Sequence, residues 1–254
     1  MELAIFSQAI GEYLRPKRVL PWLVLGGICA VLAFYWRTLQ PRTLPVEQYA
    51  TVSSMLVFRI VALASAIFTT AIISQEVEQR TIVYLLTRPV PRWKLILIRY
   101  LASVIVVGVL GIIGALLTSL GAFRGMGGNP LLAKDLQALM MGAFAYGALF
   151  LFVSLIFNRA MLWCLIFAFG WETAVPNMPG SMNNLSILTY MQAIAEHPAT
   201  QDQSKVVELA GALGTNVISA DRAWGILIGL VVVMLALSAW WFTHFEYVPR
   251  EDAE

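Results

Sequence analysis

Charged residues are scarce in this sequence. Only 13% of its 254 residues are Asp, Glu, Lys or Arg, whereas a soluble domain carries about 25%. Apolar residues make up 59% of the chain, and the mean hydropathy is +0.75. This composition excludes a soluble globular domain and indicates a polytopic membrane protein whose bundle of helices is one domain.

Several kinds of chemistry are missing as well. The net charge of +2 argues against nucleic-acid binding, which needs a concentrated basic face. The two cysteines, Cys29 and Cys164, both lie inside apolar runs, so we interpret them as small buried side chains and not as a disulfide or metal ligands. No G-x-x-x-x-G-K-[ST] loop occurs, so this chain cannot itself cradle nucleotide phosphates.

Motifs of a membrane-embedded enzyme are also absent. The sequence contains no G-x-S-x-G nucleophile setting, no H-E-x-x-H and no cluster of aspartates in its apolar runs, although such an enzyme needs converging catalytic groups. We therefore predict that the chain is not an enzyme and binds no cofactor or metal of its own.

What the sequence does contain is six apolar runs long enough, or nearly so, to cross a hydrocarbon core of about 30 Å. They are residues 19–36, 51–74, 95–120, 135–157, 160–176 and 222–243. The predicted fold is an all-α membrane protein, a six-span helical bundle that forms a single permease-like domain over residues 1–254.

Three segments outside the runs are also predicted to be helical. Residues 1–18 repeat apolar side chains at helical spacing before a basic cluster, which is typical of a helix lying in the membrane surface. Residues 76–88 form a short helix between spans two and three. Residues 177–221 form an outer helical segment, because a stretch of that length without internal structure is unusual.

Within the outer segment, residues 184–197 and 202–213 each place apolar side chains on one face. Pro198 separates the two predicted helices. Met178, Met182, Met191 and His197 lie in or near the first of them. We interpret these four side chains as parts of an amphipathic helix on the outer side and not as metal ligands, because their spacing is not that of a ligand cluster.

Lys and Arg are more frequent in the segments that would lie inside if the N-terminus is cytoplasmic than in the segments that would lie outside. This asymmetry predicts that both termini are cytoplasmic. Seven of the eight Trp residues, all but Trp171, lie near the predicted edges of the spans, where an amphipathic ring is stabilised.

The longest polar interruption on the predicted cytoplasmic side follows span two. It begins with Glu76 and Glu78, continues through an apolar turn at 82–86, and ends at Pro89, which disfavours a helical conformation of Arg88. Glu76 and Arg80 are spaced as a helical ion pair. A short helix with one apolar and one charged side is suited to docking on another protein.

Two features within the spans have more than one interpretation. Arg59 and Glu172 are the only charges well inside spans, at similar predicted depths, and we expect them to form an ion pair across spans two and five; a pair with a packing role alone stays open. Gly108, Gly111 and Gly114 could form a dimer face or could pack spans within one subunit.

Residues 76–101, E-V-E-Q-R-T-I-V-Y-L-L-T-R-P-V-P-R-W-K-L-I-L-I-R-Y-L, closely resemble permeases of the ABC type-2 exporters. That family has the pattern E-x-x-x-T-x-x-x-L-L-T-x-P-x-x-R-x-x-x-x-x-x-K-Y after its second span. The matching residues are Glu76 or Glu78, Thr81, Leu85, Leu86, Thr87, Pro89, Arg92 and Tyr100, with Arg99 in place of the commoner lysine.

Two further patches fit the same family. Trp171 and Glu172, followed by Leu185 and Ser186, resemble the end of its fifth span and the start of its outer helical segment. The acidic residues 245–254 resemble its tail. The likeness leans toward the subgroup that includes permeases linked to copper-enzyme maturation, although no copper ligands carry it here.

The resemblance implies a half-transporter in the cytoplasmic (inner) membrane of a prokaryote. Two six-span permeases, a second copy or a paralogue, would associate with two cytoplasmic ATP-binding-cassette ATPase subunits that hold ATP and Mg. The contact with the ATPase would be the coupling helix after span two. Its candidate residues are Glu76, Glu78, Arg80, Thr81, Tyr84, Leu85, Leu86, Thr87, Arg88 and Pro89.

The expected function is that of an exporter permease that forms the substrate pathway as a dimer. Spans with an aromatic and aliphatic surface suit a lipid-like or amphipathic cargo. The alternatives are a membrane-embedded enzyme and a receptor or scaffold with a permease-like fold.

Overall fold

The structure, a computed structural model, describes residues 2–40, 43–78, 92–123, 128–157, 159–177, 181–197 and 218–244. These parts of the chain are helical and contain no β-strand, which confirms the all-α prediction for them. The helices are α1 (Glu2–Tyr13), α2 (Pro16–Leu39), α3 (Pro45–Val52), α4 (Phe58–Glu78), α5 (Arg92–Phe123), α6 (Leu132–Ile156), α7 (Ala160–Ile166), α8 (Glu172–Ala174), α9 (Ile187–Ala195) and α10 (Ala220–His244).

Five of these stretches are long and apolar enough to cross a membrane. They are Pro16–Leu39, Pro45–Ile72, Trp93–Phe123, Leu132–Ile156 and Ala220–His244. The predicted fifth span, 160–176, is a shorter apolar helix, Ala160–Ala174, which continues as a 3-10 turn over Val175–Asn177. Its length is only about 22 Å at 1.5 Å per residue, less than the hydrocarbon thickness.

Two π-helical segments interrupt the α-helices, and each of them adjoins a buried polar residue. One, Ser53–Val57, joins α3 to α4, and the other, Phe167–Trp171, joins α7 to α8. A π-helical turn inserts one extra residue, rotates the following side chains and is frequent at functional sites. Here the first segment begins at Ser53 and the second ends directly before Glu172.

Helix α6 lies at the centre of the bundle. It packs against α4, α5, α9 and α10, and its buried residues are distributed around the whole helix, as expected of a helix with neighbours on every side. The outermost helices are α2 and α10, in which 17% of the apolar window is buried, against 67% in α6.

The N-terminal segment differs in detail from the predicted surface helix over 1–18. Helix α1 ends at Tyr13, and Pro16 begins α2, so Lys17 and Arg18 lie in the first turn of the span-one helix. Proline is favoured at this first position because its missing N–H has no helical partner there. Helix α1 packs on the bundle through Tyr13, whose ring meets Phe68 edge-on at 5.8 Å.

Glycines of α5 allow the helices to approach closely within the chain. A Cβ atom on Gly108 would lie 2.4 Å from Met140 Sδ, one on Gly111 would lie 2.6 Å from Val61 Cγ2, and one on Gly121 would lie 2.3 Å from the carbonyl oxygen of Ala30. These glycines therefore pack α5 against α6, α4 and α2 of the same subunit. The alternative of a dimer face does not hold at Gly108 and Gly111.

Gly121→Ala should lower the stability of the bundle by about 1–3 kcal/mol, because the new methyl group collides with backbone that cannot move aside. The melting temperature of the purified protein in detergent measures the effect. Gly229→Ala is the control, since a methyl group at that position would meet no atom within 4 Å, and alanine is the better helix former by about 1 kcal/mol. Equal melting temperatures for the two variants would contradict the close approach of α5 and α2.

Candidate functional site

The predicted coupling helix, 76–88, is only partly within the described residues. Glu76 and Glu78 lie in the last turn of α4, which continues the span-two helix beyond the predicted end at residue 74. The other candidate contacts, Arg80, Thr81, Tyr84, Leu85, Leu86, Thr87, Arg88 and Pro89, lie outside the described residues. The ATPase contact therefore stays a prediction.

The end of the bundle next to α9 contains a buried carboxylate at Glu172. Glu172 directly follows the second π-helical segment and is 1% exposed. Its Oε2 accepts hydrogen bonds from Ser186 Oγ at 2.5 Å and from the backbone N–H of Leu188 at 3.2 Å, and its Oε1 accepts one from the N–H of Ile187 at 3.1 Å.

These bonds place a carboxylate on the N-terminus of α9. The first N–H groups of a helix have no partner inside the helix, and the helix dipole favours a negative charge there. Ser186 is the N-cap residue and also accepts from the N–H of Thr189. Glu172 thus fixes the start of α9 to the end of the α7–α8 segment; we call this contact the Glu172 anchor.

Trp171 reinforces the Glu172 anchor. Its indole Nε1 donates to the carbonyl oxygen of Leu185 at 3.2 Å. The two patches that the family resemblance singled out, Trp171 with Glu172 and Leu185 with Ser186, therefore meet in space. The sequence analysis assigned Glu172 a different partner, Arg59.

A second buried carboxylate holds the other end of α9. Asp135, in the first turn of α6, is fully buried. Its Oδ2 accepts from Ser53 Oγ at 2.6 Å, and its Oδ1 lies 2.6 Å from His197 Nε2. The imidazole also stacks on Phe58, with ring centroids 5.5 Å apart. We call this group the Asp135 anchor.

A surface ion pair runs beside the Asp135 anchor. Lys134 Nζ contacts Glu196 Oε2, and both side chains are exposed. Glu196 adopts a left-handed conformation with φ of 49°, the geometry in which many helices end. The turn brings His197 back toward α6. As a result, Glu196 pairs with Lys134 and His197 pairs with Asp135.

Between its two anchors, α9 packs directly on α6. Met191 is fully buried, and a Cβ atom on Gly142 would lie 2.4 Å from its Sδ. The sequence analysis placed Met191 correctly in an amphipathic helix. The sequence analysis did not predict the contact between His197 and Asp135. The only signal was the position of Asp135, an acid in the first turn of an apolar span, and it lies 62 residues away from His197 along the chain.

The structure shows no ion pair between Arg59 and Glu172. Among the described residues, no carboxylate forms a salt bridge with Arg59, and Glu172 is engaged with α9. Tyr146 of α6 is nevertheless within electrostatic reach of both charges. The phenol oxygen of Tyr146 is buried and makes no hydrogen bond of ordinary geometry, and the same holds for Arg59 Nε.

The arrangement is one for positioning helices and not for chemistry on a substrate. Ser53 donates to the carboxylate of Asp135 and not to a histidine, whereas a nucleophilic serine needs a base beside it. In the described ranges, no group of three or more His, Cys, Asp or Glu side chains could hold a metal ion, and Cys29 and Cys164 are both unpaired thiols.

Comparison with known families assigns the chain. A profile of the family described as "ABC-2 family transporter protein" matches residues 30–246. The match covers most of the chain, from within α2 to beyond α10, so the protein belongs to this family of membrane permeases. No curated protein matches the sequence.

Glu172→Ala should free the start of α9, because three hydrogen-bond donors lose a charged acceptor and such bonds are worth about 1.5–3 kcal/mol each. Hydrogen exchange read by mass spectrometry should show faster exchange of the amides of Ile187 and Leu188, by roughly tenfold or more. Glu196→Ala, which removes an exposed acid next to the same helix, should leave these two amides unchanged. Unchanged protection in Glu172→Ala would refute the anchor.

The Asp135–His197 contact should show a large energetic coupling. A double-mutant cycle with Asp135→Asn and His197→Gln should give about 1–3 kcal/mol, because the pair is buried and hydrogen-bonded. The same cycle for the exposed Lys134–Glu196 pair should give about 0.2–1 kcal/mol. Free energies of unfolding in detergent micelles supply both values, and a weaker coupling for the buried pair than for the exposed one is the contrary result.

Proposed function

We propose that this chain is the transmembrane permease subunit of an ABC exporter, which forms the substrate pathway as a dimer and is driven by separate ATPase subunits. The family match over residues 30–246 carries the proposal. The apolar helical bundle supports it, and the sequence lacks a phosphate-binding loop of its own.

The α7–α8 segment is proposed as the remaining one of six crossings. Although it is shorter than the hydrocarbon core, its outer end joins α9 through the Glu172 anchor. Polar backbone at membrane depth is tolerated where protein covers it, and α9 provides such cover. An even number of crossings places both termini on the same side of the membrane. The segments on that side contain more Lys and Arg than the segments on the other side, which supports a cytoplasmic location of the termini.

The geometry of span two supports force transfer from the cytoplasm. The apolar residues of span two end at Ile73, but α4 continues to Glu78. From Pro45 to Glu78 the nearly continuous helix is about 50 Å long, well beyond the hydrocarbon thickness of about 30 Å. A helix that extends beyond the membrane can transmit a displacement of the 76–88 coupling helix to Ser53 and the Asp135 anchor.

In the proposed assembly the partner ATPase subunits hold ATP and Mg, and a second permease copy or a paralogue completes the pathway in a prokaryotic inner membrane. The likeness to the copper-enzyme-maturation subgroup does not extend to the cargo in this proposal. The described helices contain no cluster of side chains that could bind a metal cargo.

An enzyme or a receptor with the same fold is less well supported. Ser53, Asp135 and His197 are the residue types of a hydrolase, but they are connected in the order Ser–Asp–His and all three are largely buried. Without a base on the serine, that order supplies no activated nucleophile.

Co-expression with an adjacent ATP-binding-cassette ATPase should yield a complex that copurifies and hydrolyses ATP. Glu78→Lys and Thr81→Ala should weaken recovery of the ATPase by roughly tenfold, as expected when a contact worth about 1.4 kcal/mol is lost. Asp221→Lys makes the same charge change in the first turn of α10, on the proposed outer side, and should leave recovery intact. Full recovery with Glu78→Lys and Thr81→Ala would contradict the proposed coupling helix.

A further inference from the structure

The guanidinium of Arg59 belongs to neither of the two anchors. It is the only charged residue between Gln48 and Ile72, near the middle of the apolar stretch Pro45–Ile72. At 1.5 Å per residue it lies about 20 Å from either end. An arginine at that depth in hydrocarbon carries a large free-energy cost, so such residues face protein, water or a ligand.

Arg59 lies on the side of span two that the rest of the chain leaves uncovered. Side chains four residues apart share a helix face, and on this face Met55 is 61% exposed and Ile67 is 37% exposed. Leu63, between them, is partly exposed, as is Arg59. The face therefore presents one cation flanked on both sides by apolar surface.

Among the described residues, no acid forms an ion pair with that cation. The buried carboxylates of the described apolar helices are Asp135 and Glu172; the first binds Ser53 and His197, and the second binds the start of α9. A second copy of the chain has the same two acids, equally buried and equally engaged. A symmetric dimer therefore brings no free buried carboxylate from the described helices to Arg59.

One buried polar atom of this arginine also has no hydrogen-bond partner among the described residues. Arg59 Nε makes no hydrogen bond, whereas the phenol of Tyr146 beside it is also close to the carboxylate of Glu172. Buried polar groups are almost always hydrogen-bonded in folded proteins. An unsatisfied donor on a cation that has no carboxylate partner indicates a position for an anion.

We propose that Arg59 binds the anionic head group, a carboxylate or a phosphate, of an amphipathic cargo whose alkyl chain lies along Met55, Leu63 and Ile67. The planar guanidinium matches both head groups with two parallel hydrogen bonds. This inference rests on the proposed permease function and adds the substrate class to it.

The test uses the complex of this chain with its ATPase in nanodiscs of phosphatidylcholine. Dodecanoate and dodecyl phosphate should stimulate ATP hydrolysis, whereas dodecyltrimethylammonium, with the same alkyl chain, should not. Arg59→Gln should raise the half-maximal concentration of the anions by roughly tenfold or more, and Arg59→Lys should retain part of the response. Lys134→Gln removes one cation from the outer surface and should behave as the wild type.

Replacing part of the phosphatidylcholine with phosphatidylglycerol distinguishes the two sources of the anion. If phosphatidylglycerol alone gives full stimulation that Arg59→Gln abolishes, the ligand is a bilayer lipid; if only the added amphiphiles do so, it is a free one. Equal stimulation by the cationic amphiphile, or an unchanged anion response in Arg59→Gln, overturns the proposal. A wild-type complex that does not assemble would instead refute the permease function.

A second measurement on the wild-type complex decides the matter if Arg59→Gln does not fold. Butanedione modifies accessible arginines, and mass spectrometry locates the adducts. Dodecyl phosphate should protect Arg59 several-fold, while dodecyltrimethylammonium should not. Modification of Arg59 at the same rate with and without dodecyl phosphate would overturn the anion site.

Discussion

The position of α9 depends on one buried carboxylate, that of Glu172, which lies at the N-terminus of this helix. Glu172 sits at the end of a short apolar segment and supplies the acceptors that the first N–H groups of α9 lack. A buried charge is costly without partners, and three hydrogen bonds with a helix dipole provide them. Because Glu172 and the N-terminus of α9 each supply the partner that the other lacks, these bonds fix the position of α9 on the bundle.

The Asp135 anchor completes this constraint at the far end of α9. Its members come from three parts of the chain: Ser53 precedes α4, Asp135 begins α6, and His197 follows α9. Each anchor adjoins one π-helical segment. Any displacement of α4 relative to α6 must therefore either carry α9 with it or break a buried polar contact.

Much of the fold could be predicted from the sequence because apolar runs and helical spacing are local properties. The central position of α6 could not, since the apolar character that marks a span is the same whether a helix faces lipid or protein. The glycines of α5 illustrate this: their spacing predicted close approach, and only the structure showed that α2, α4 and α6 are the neighbours. The partners of Asp135 were out of reach for the same reason, because no spacing rule links residues 62 positions apart.

The charges within the spans show both the value and the limit of sequence reasoning. The sequence identified Arg59 and Glu172 as exceptional, and Tyr146 is within electrostatic reach of both. It paired them because opposite charges in hydrocarbon attract, but the backbone N–H groups of α9 had already satisfied Glu172. Competition between a distant side chain and a nearby helix end is settled by three-dimensional geometry alone.

We propose that this chain is the membrane subunit of an ATP-driven exporter and that motion enters through the coupling helix predicted over residues 76–88. Photo-crosslinking from residue 84 in inside-out membrane vesicles tests that claim most directly. The account predicts that a crosslinking amino acid in place of Tyr84 forms an adduct with an ABC ATPase subunit, and that added nucleotide changes its yield. An adduct formed only with reagents or proteins on the outer side of the membrane would contradict it.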